Sequence, residues 1–140
     1  TVFGVPQAVT AYGRNLRPEY GDYDHVLMMF EYASGLHGVL SHSDYMGGDQ
    51  NRYIVRGSRG LVVVERERLT IEGIEGDRRM VDVPAEDVYV EMWTAMAAAL
   101  QRGEEPPYTL EHGWQELKTL LAVARSIEEG RKVALEEMGS

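Results

Sequence analysis

The sequence predicts an α+β fold: an open-faced, mainly antiparallel sheet of six or seven strands with two C-terminal helices packed on one face. Three observations predict it. Glycine outnumbers proline by 15 to 5, so the chain turns often, as a chain of short strands must. Residues 1–83 alternate in the two-residue rhythm of strands, and residues 84–130 change to helical spacing. Elements that run as strands first and helices last form segregated layers, with the helices on one side of the sheet.

Residues 7–13 open the sheet with moderate alternation that ends at Gly13. In residues 24–33, Val26, Met28, Phe30 and Tyr32 fall on one side, and Leu27, Met29 and Glu31 on the other. Ser34-Gly35 is a turn signal, and residues 36–45 complete a hairpin. A glycine-rich loop at 46–50 leads to a second hairpin, residues 52–57 and 61–65 about the Ser58-Arg59-Gly60 turn. Residues 68–72 and 79–83 add two strands around a turn at 73–77.

Pro84 ends the sheet and opens a helix with Glu86 and Asp87 in its first turn, where the helix dipole favours anions. Tyr89, Trp93, Met96, Ala97 and Leu100 share one face, and Gly103 stops the helix. Thr109 caps a second helix whose apolar face is Leu110, Trp114, Leu117, Leu121, Ala124 and Ile127, ending at Gly130. Both tryptophans are expected in the core. Residues 132–135 return as a short strand.

The chain has 140 residues, the size of one domain, so residues 1–140 read as a single unit. Thr1 is not a methionine, from which an upstream portion removed by processing or design is expected. Acidic residues exceed basic ones by 23 to 14, for a net charge of −9. That field repels phosphate backbones and anionic lipid, so neither nucleic acid nor membrane is an expected partner. There are no cysteines, which removes disulfides and thiolate chemistry and fits a reducing, cytoplasmic setting.

Two helices cover one face of a sheet. Leu27 and Met29, with Leu61 and Val63 in the apolar run 61–64, place greasy side chains on the other face as well. A second subunit of the same chain is the expected cover, and scattered exposed side chains are the plainer alternative. No catalytic or metal-binding residue is assigned, since His25, His37, His42 and His112 show no metal-ligand spacing. His42, Asp44 and Tyr45 form the one polar constellation, and a solvent-facing strand end is the simpler account of it taken alone. Gly57-Ser58-Arg59-Gly60 joins two strands, whereas a dinucleotide fingerprint opens a helix.

Several stretches in order carry a family likeness: Val5-Pro6-Gln7-Ala8-Val9-Thr10-Ala11, Asp24-His25, Gly35, Gly38, Val55-Arg56-Gly57-Ser58-Arg59-Gly60-Leu61, Gly113, Ser126 and Gly130-Arg131-Lys132-Val133. Through them the chain resembles the C-terminal domain of the glucose–fructose oxidoreductase / inositol dehydrogenase (Gfo/Idh/MocA) family. The resemblance implies an upstream Rossmann half that binds NAD or NADP, with a Glu-Lys-Pro motif and an aspartate and histidine four apart. None of these occurs here, so no catalytic residue carries over and the chain alone is expected to bind no cofactor and turn over nothing.

What remains is a substrate wall near His42–Arg52. There His42 or Tyr45 is placed to bond a hydroxyl of a sugar or polyol, and Arg52 to hold a charged substituent. The bare sheet face is implied to join a homo-oligomer. A stand-alone, non-catalytic binding or scaffold module with the same sheet is the alternative.

Overall fold

The computed structural model describes residues 3–44, 52–84 and 87–139. The class is α+β, as expected. The strands form two four-stranded antiparallel sheets, where the sequence predicts one of six or seven strands. Alternation shows which residues share a face of a strand, but it carries no information about which strands share a ladder.

The strands are β1 (Ala8–Arg14), β2 (His25–Glu31), β3 (His37–Ser43), β4 (Tyr53–Gly57), β5 (Gly60–Glu65), β6 (Arg68–Gly73), β7 (Arg78–Asp82) and β8 (Val133–Ala134). The first sheet has the order β3-β2-β1-β8 and the second β4-β5-β6-β7. The helices are α1 (Val88–Arg102) and α2 (Leu110–Glu129). The chain divides into two compact units, residues 1–47 with 105–140, and residues 48–104.

In the first unit α2 lies across β1 and β8. Val9, Ala11, Ala122, Val123, Val133 and Leu135 form the core, with Val26, Met28 and Phe30 packed against it. The residues of α2 that reach the sheet are small ones, Ala122, Val123 and Ser126. The expected stripe of Trp114, Leu117 and Leu121 is instead exposed, and Leu110 is almost fully so. Close approach explains the difference. A helix can sit tightly on a strand only where both present little bulk, and a Cβ on Gly13 would stand 2.7 Å from Ile127 Cδ1.

Ser126 fixes that approach. Its buried hydroxyl accepts the N–H of Ala11 (2.8 Å) and donates to the carbonyl of Arg131 (2.6 Å). β8 pairs only with Ala8 and Val9, so beyond it a serine side chain continues the pairing of β1. Thr109 caps α2 as expected. Its side chain accepts from the N–H of His112, while His112 Nδ1 accepts the N–H of Thr109, so a histidine takes the place usual for Glu or Gln in a capping box.

The C-terminus is latched by charge. Arg131 holds Glu137 at 2.7 Å and Glu129 at 2.6 Å, and Lys132 reaches Glu31 at 2.9 Å.

In the second unit the hairpin β4–β5 turns at Gly60, whose φ is 146°. A side chain there would collide with the carbonyl oxygen of Glu72 on β6, so the glycine is what lets three strands meet. α1 begins at Val88 with Asp87 as its N-cap, accepting the N–H groups of Tyr89 and Val90, and so starts later than the expected opening at Pro84. Glu86 lies outside the described residues. α1 stops at Gly103 as expected, yet among the described residues it has no extensive packing on the second sheet. Its apolar side chains encircle it, with Val88, Tyr89, Val90 and Trp93 all exposed, so neither tryptophan is a core residue.

Two outcomes follow from this architecture. Ser126→Ala leaves the Ala11 N–H and the Arg131 carbonyl without their partner, and is expected to lower stability by about 1–3 kcal/mol per stranded group in urea titrations. Glu137 has its carboxyl pulled from 4.5 down to about 2, first by the hydrogen bond from Arg131 and then by the N–H of Ala134. A lowered carboxyl stabilises the fold above its unfolded value and loses that contribution as pH falls through its folded value. Acid melts should therefore show stability declining between pH 4.5 and about 2, with a flatter profile for Glu137→Gln.

Candidate functional site

Polar chemistry in the first unit gathers where β2 begins and β3 ends. Asp24 is fully buried, and its carboxylate accepts the N–H of Leu16 at 2.9 Å and of Arg17 at 2.7 Å. It thereby ties down the loop that precedes β2, and its own carbonyl accepts the N–H of Asp44. One buried residue thus fixes both strand ends, the loop by its side chain and β3 by its backbone.

His25 and Ser43 are direct partners across β2 and β3. His25 Nδ1 and Ser43 Oγ are hidden from solvent and have no hydrogen-bond partner among the described residues. Next to them, His42 Nε2 lies 2.8 Å from Asp44 Oδ1, with both side chains substantially exposed. The expected association of His42 with Asp44 is therefore present. Tyr45 lies outside the described residues.

The register also sorts the faces of the first sheet. Val9, Ala11, Met28 and Phe30 face α2, while Thr10, Tyr12, Leu27, Met29 and Val39 face away. Leu27 is 42% and Met29 41% exposed, and Tyr12 and Val39 still more so. Leu27 and Met29 thus occupy the bare face that the alternation predicts, and Tyr12 and Val39 extend it. A depression of about 600 Å³ at the β1 side of this sheet is lined by Tyr12, Arg14, His25, Leu27 and Ile127, among others.

Arg52 lies in the second unit, where the two faces of the sheet differ. Tyr53, Val55, Val62, Val64, Leu69, Ile71 and Val81 share one face, apolar but for Arg79 on β7, and Tyr53 is 65% exposed on it. The other face holds Leu61 and Val63 among Arg56, Glu65, Arg68 and Glu72. The sequence reading singled out Leu61 and Val63 for an apolar interface. Their neighbours in sequence, Val62 and Val64, occupy the apolar face, and Leu61 and Val63 floor a charged one. Arg52 lines a pocket with them.

Among the described residues no group of three histidine or acidic side chains is arranged to hold a metal ion. No helix among them is long and apolar enough to cross a membrane. The Gly57–Gly60 stretch is a β4–β5 hairpin, so these residues do not fit a dinucleotide, whose pyrophosphate needs a glycine turn that opens a helix.

Residues 1–63 match the GFO/IDH/MocA C-terminal domain family. The chain is 31% identical over 126 residues to the inositol 2-dehydrogenase of Rhizobium meliloti (strain 1021), covering 82% of this chain and 38% of that protein. It belongs to the GFO/IDH/MocA family as a C-terminal domain. Solved structures share its fold. An oxidoreductase from Agrobacterium radiobacter, crystallised with NAD+, L-tartaric acid and magnesium, superposes with a TM-score of 0.84 at 15% identity, over 99% of this chain and 46% of that one. A levoglucosan dehydrogenase, in complex with NADH and levoglucosan, gives 0.82 at 19% identity, over 94% of this chain and 45% of its own. The chain thus spans well under two thirds of the length of these relatives.

Sequence reasoning missed Asp24 and Ser126 as organisers of this C-terminal domain. The signal for Asp24 is an acidic residue placed just before an apolar strand. For Ser126 it is a lone small polar residue between Val123 and Ile127 on the side of a helix that meets a sheet. Asp24→Ala should cost about 1–3 kcal/mol for each stranded N–H, with Asp24→Asn losing less because one acceptor oxygen remains. Equilibrium unfolding in urea measures both.

Proposed function

We propose that this domain is the substrate-binding and oligomerisation half of an NAD(P)-dependent oxidoreductase that acts on a sugar, polyol or related hydroxy compound. One observation carries the reading: a chain homologous to part of a dehydrogenase bears an apolar, uncovered sheet face where Tyr12, Leu27, Met29 and Val39 stand exposed. Relatives crystallised with tartaric acid and levoglucosan support the substrate class.

In this reading the nicotinamide, held by another part of the protein, supplies the redox chemistry. The present chain orients the substrate, excludes water and frames the assembly. His42, steadied by Asp44, offers the ring atom not engaged there to a substrate hydroxyl, and Tyr45 follows it on the wall. A second subunit covers the bare face of the first sheet, and the protein works in the cytoplasm. Without the nucleotide-binding part the chain binds no NAD(P) and is inactive.

Light scattering on the purified chain tests the assembly. A dimer or larger species is expected, and Leu27→Glu with Met29→Glu should release monomers by placing carboxylates in an apolar contact. A wild-type monomer at high concentration would overturn the oligomeric part of the reading. In the full-length protein, His42→Ala and Tyr45→Ala should raise KM or lower kcat, and unchanged kinetics would remove both residues from the substrate wall.

A further inference from the structure

The charged face of the second sheet has an order that the reading above does not use. Cross-strand pairing sets Arg56, Leu61, Glu72 and Arg78 in one row across β4, β5, β6 and β7. Ile54, Val63, Thr70 and Met80 form the next row. Glu65, Arg68 and Asp82 form the third, with Arg52 at the same level just before β4. A pocket of about 270 Å³ is sunk into this grid. Arg52, Arg56 and Arg78 stand around it, and Ile54, Leu61 and Val63 contribute an apolar floor.

Three facts make the pocket more than a solvated patch. First, Arg68 is paired with Asp82 at 3.4 Å, but Arg52, Arg56 and Arg78 form no ion pair among the described residues. In a chain of net charge −9, where acidic partners abound, three guanidinium groups around one pocket with no ion pair among the described residues are positioned for an anion from outside. Second, Thr70 in the pocket lining is only 7% exposed, and its hydroxyl is not engaged by another described side chain. Third, Glu65 and Glu72 share the lining, Glu72 directly across from Arg78, and so leave the pocket with an excess of positive charge and two acceptors. Carboxylates so placed accept hydrogen bonds from hydroxyl groups, and they disfavour a ligand that is all negative charge.

We propose that this face binds a small polyhydroxylated anion, such as a sugar acid or a polyol phosphate. The anionic group takes the planar, bidentate donors of Arg56 and Arg78 or of Arg52. The carbon chain lies on Leu61 and Val63, and the hydroxyls donate to Glu72 and Glu65 and meet Thr70. The volume suits a ligand of a few carbon atoms, near the lower end for small-molecule sites. The site rests on the second sheet alone and stands whether or not the first sheet dimerises or the parent is an oxidoreductase.

Isothermal titration of the chain at low ionic strength tests it, with D-gluconate and glycerol phosphate as anionic probes and D-sorbitol as the uncharged counterpart. At least one anionic probe is expected to bind, and which one does separates a carboxylate site from a phosphate site. D-Sorbitol should bind roughly tenfold more weakly or worse, and Arg56→Gln and Arg78→Gln should each cost a similar factor. Arg59→Gln, at the hairpin turn outside the pocket, should leave binding unchanged, and thermal melts should show all three variants folded. Equal binding of D-sorbitol, no binding of either anion, or an equal loss in Arg59→Gln would overturn the site. So would a wild-type dimer that Arg56→Gln dissociates, since the face would then belong to a second copy.

Discussion

β1 is the strand on which the first unit is organised, and its difficulty is an unfinished edge. A buried N–H without an acceptor costs more than most single contacts return. β2 satisfies one side of β1 along its whole length, whereas β8 satisfies the other only at Ala8 and Val9. Ser126 supplies the missing acceptor at Ala11 and, through the same hydroxyl, holds the turn that delivers β8. Helix position, strand edge and chain return therefore hang on one side chain. The small residues around it, Ala11, Gly13 and Ala122, are what allow the helix to come that close.

The second unit solves a different problem. Its sheet has one apolar face and one charged face, and within the described residues neither face has a helix packed extensively on it. Such a sheet gains little from its own burial. Its stability rests on the ladders and on tight turns such as Gly60. The two faces differ in what they would accept: hydrocarbon on the side of Tyr53, Val62 and Val64, and hydrogen-bonding anions on the side of Arg56 and Arg78.

Much of this is legible in the residues. Every strand was placed by alternation and by turn chemistry, and the caps at Thr109, Gly103 and Gly130 are local signals that the chain obeys locally. Leu27 and Met29 face away from α2 because strand parity alone requires it once Met28 and Phe30 face inward. Parity gives no answer at β5 for an equally simple reason. In a run such as Leu61–Val64 every residue is apolar, so the sequence cannot say which pair shares a face with arginine and which with tyrosine. The apolar stripe of α2 misled in the same way, since the bulkiest side chains mark where a helix is greasy and the smallest mark where it packs.

The sequence by itself determined the α+β class, the family and the succession of elements, because each depends on local spacing or on motifs that are present. Only the tertiary structure decided that the strands form two sheets, that Asp24 and Ser126 are buried fastenings, and that Arg52, Arg56 and Arg78 surround one pocket. Those are relations between residues far apart in the chain, 115 positions in the case of Ala11 and Ser126. Pairing at that range is set by which surfaces fit and which polar groups find partners, and no local pattern records it.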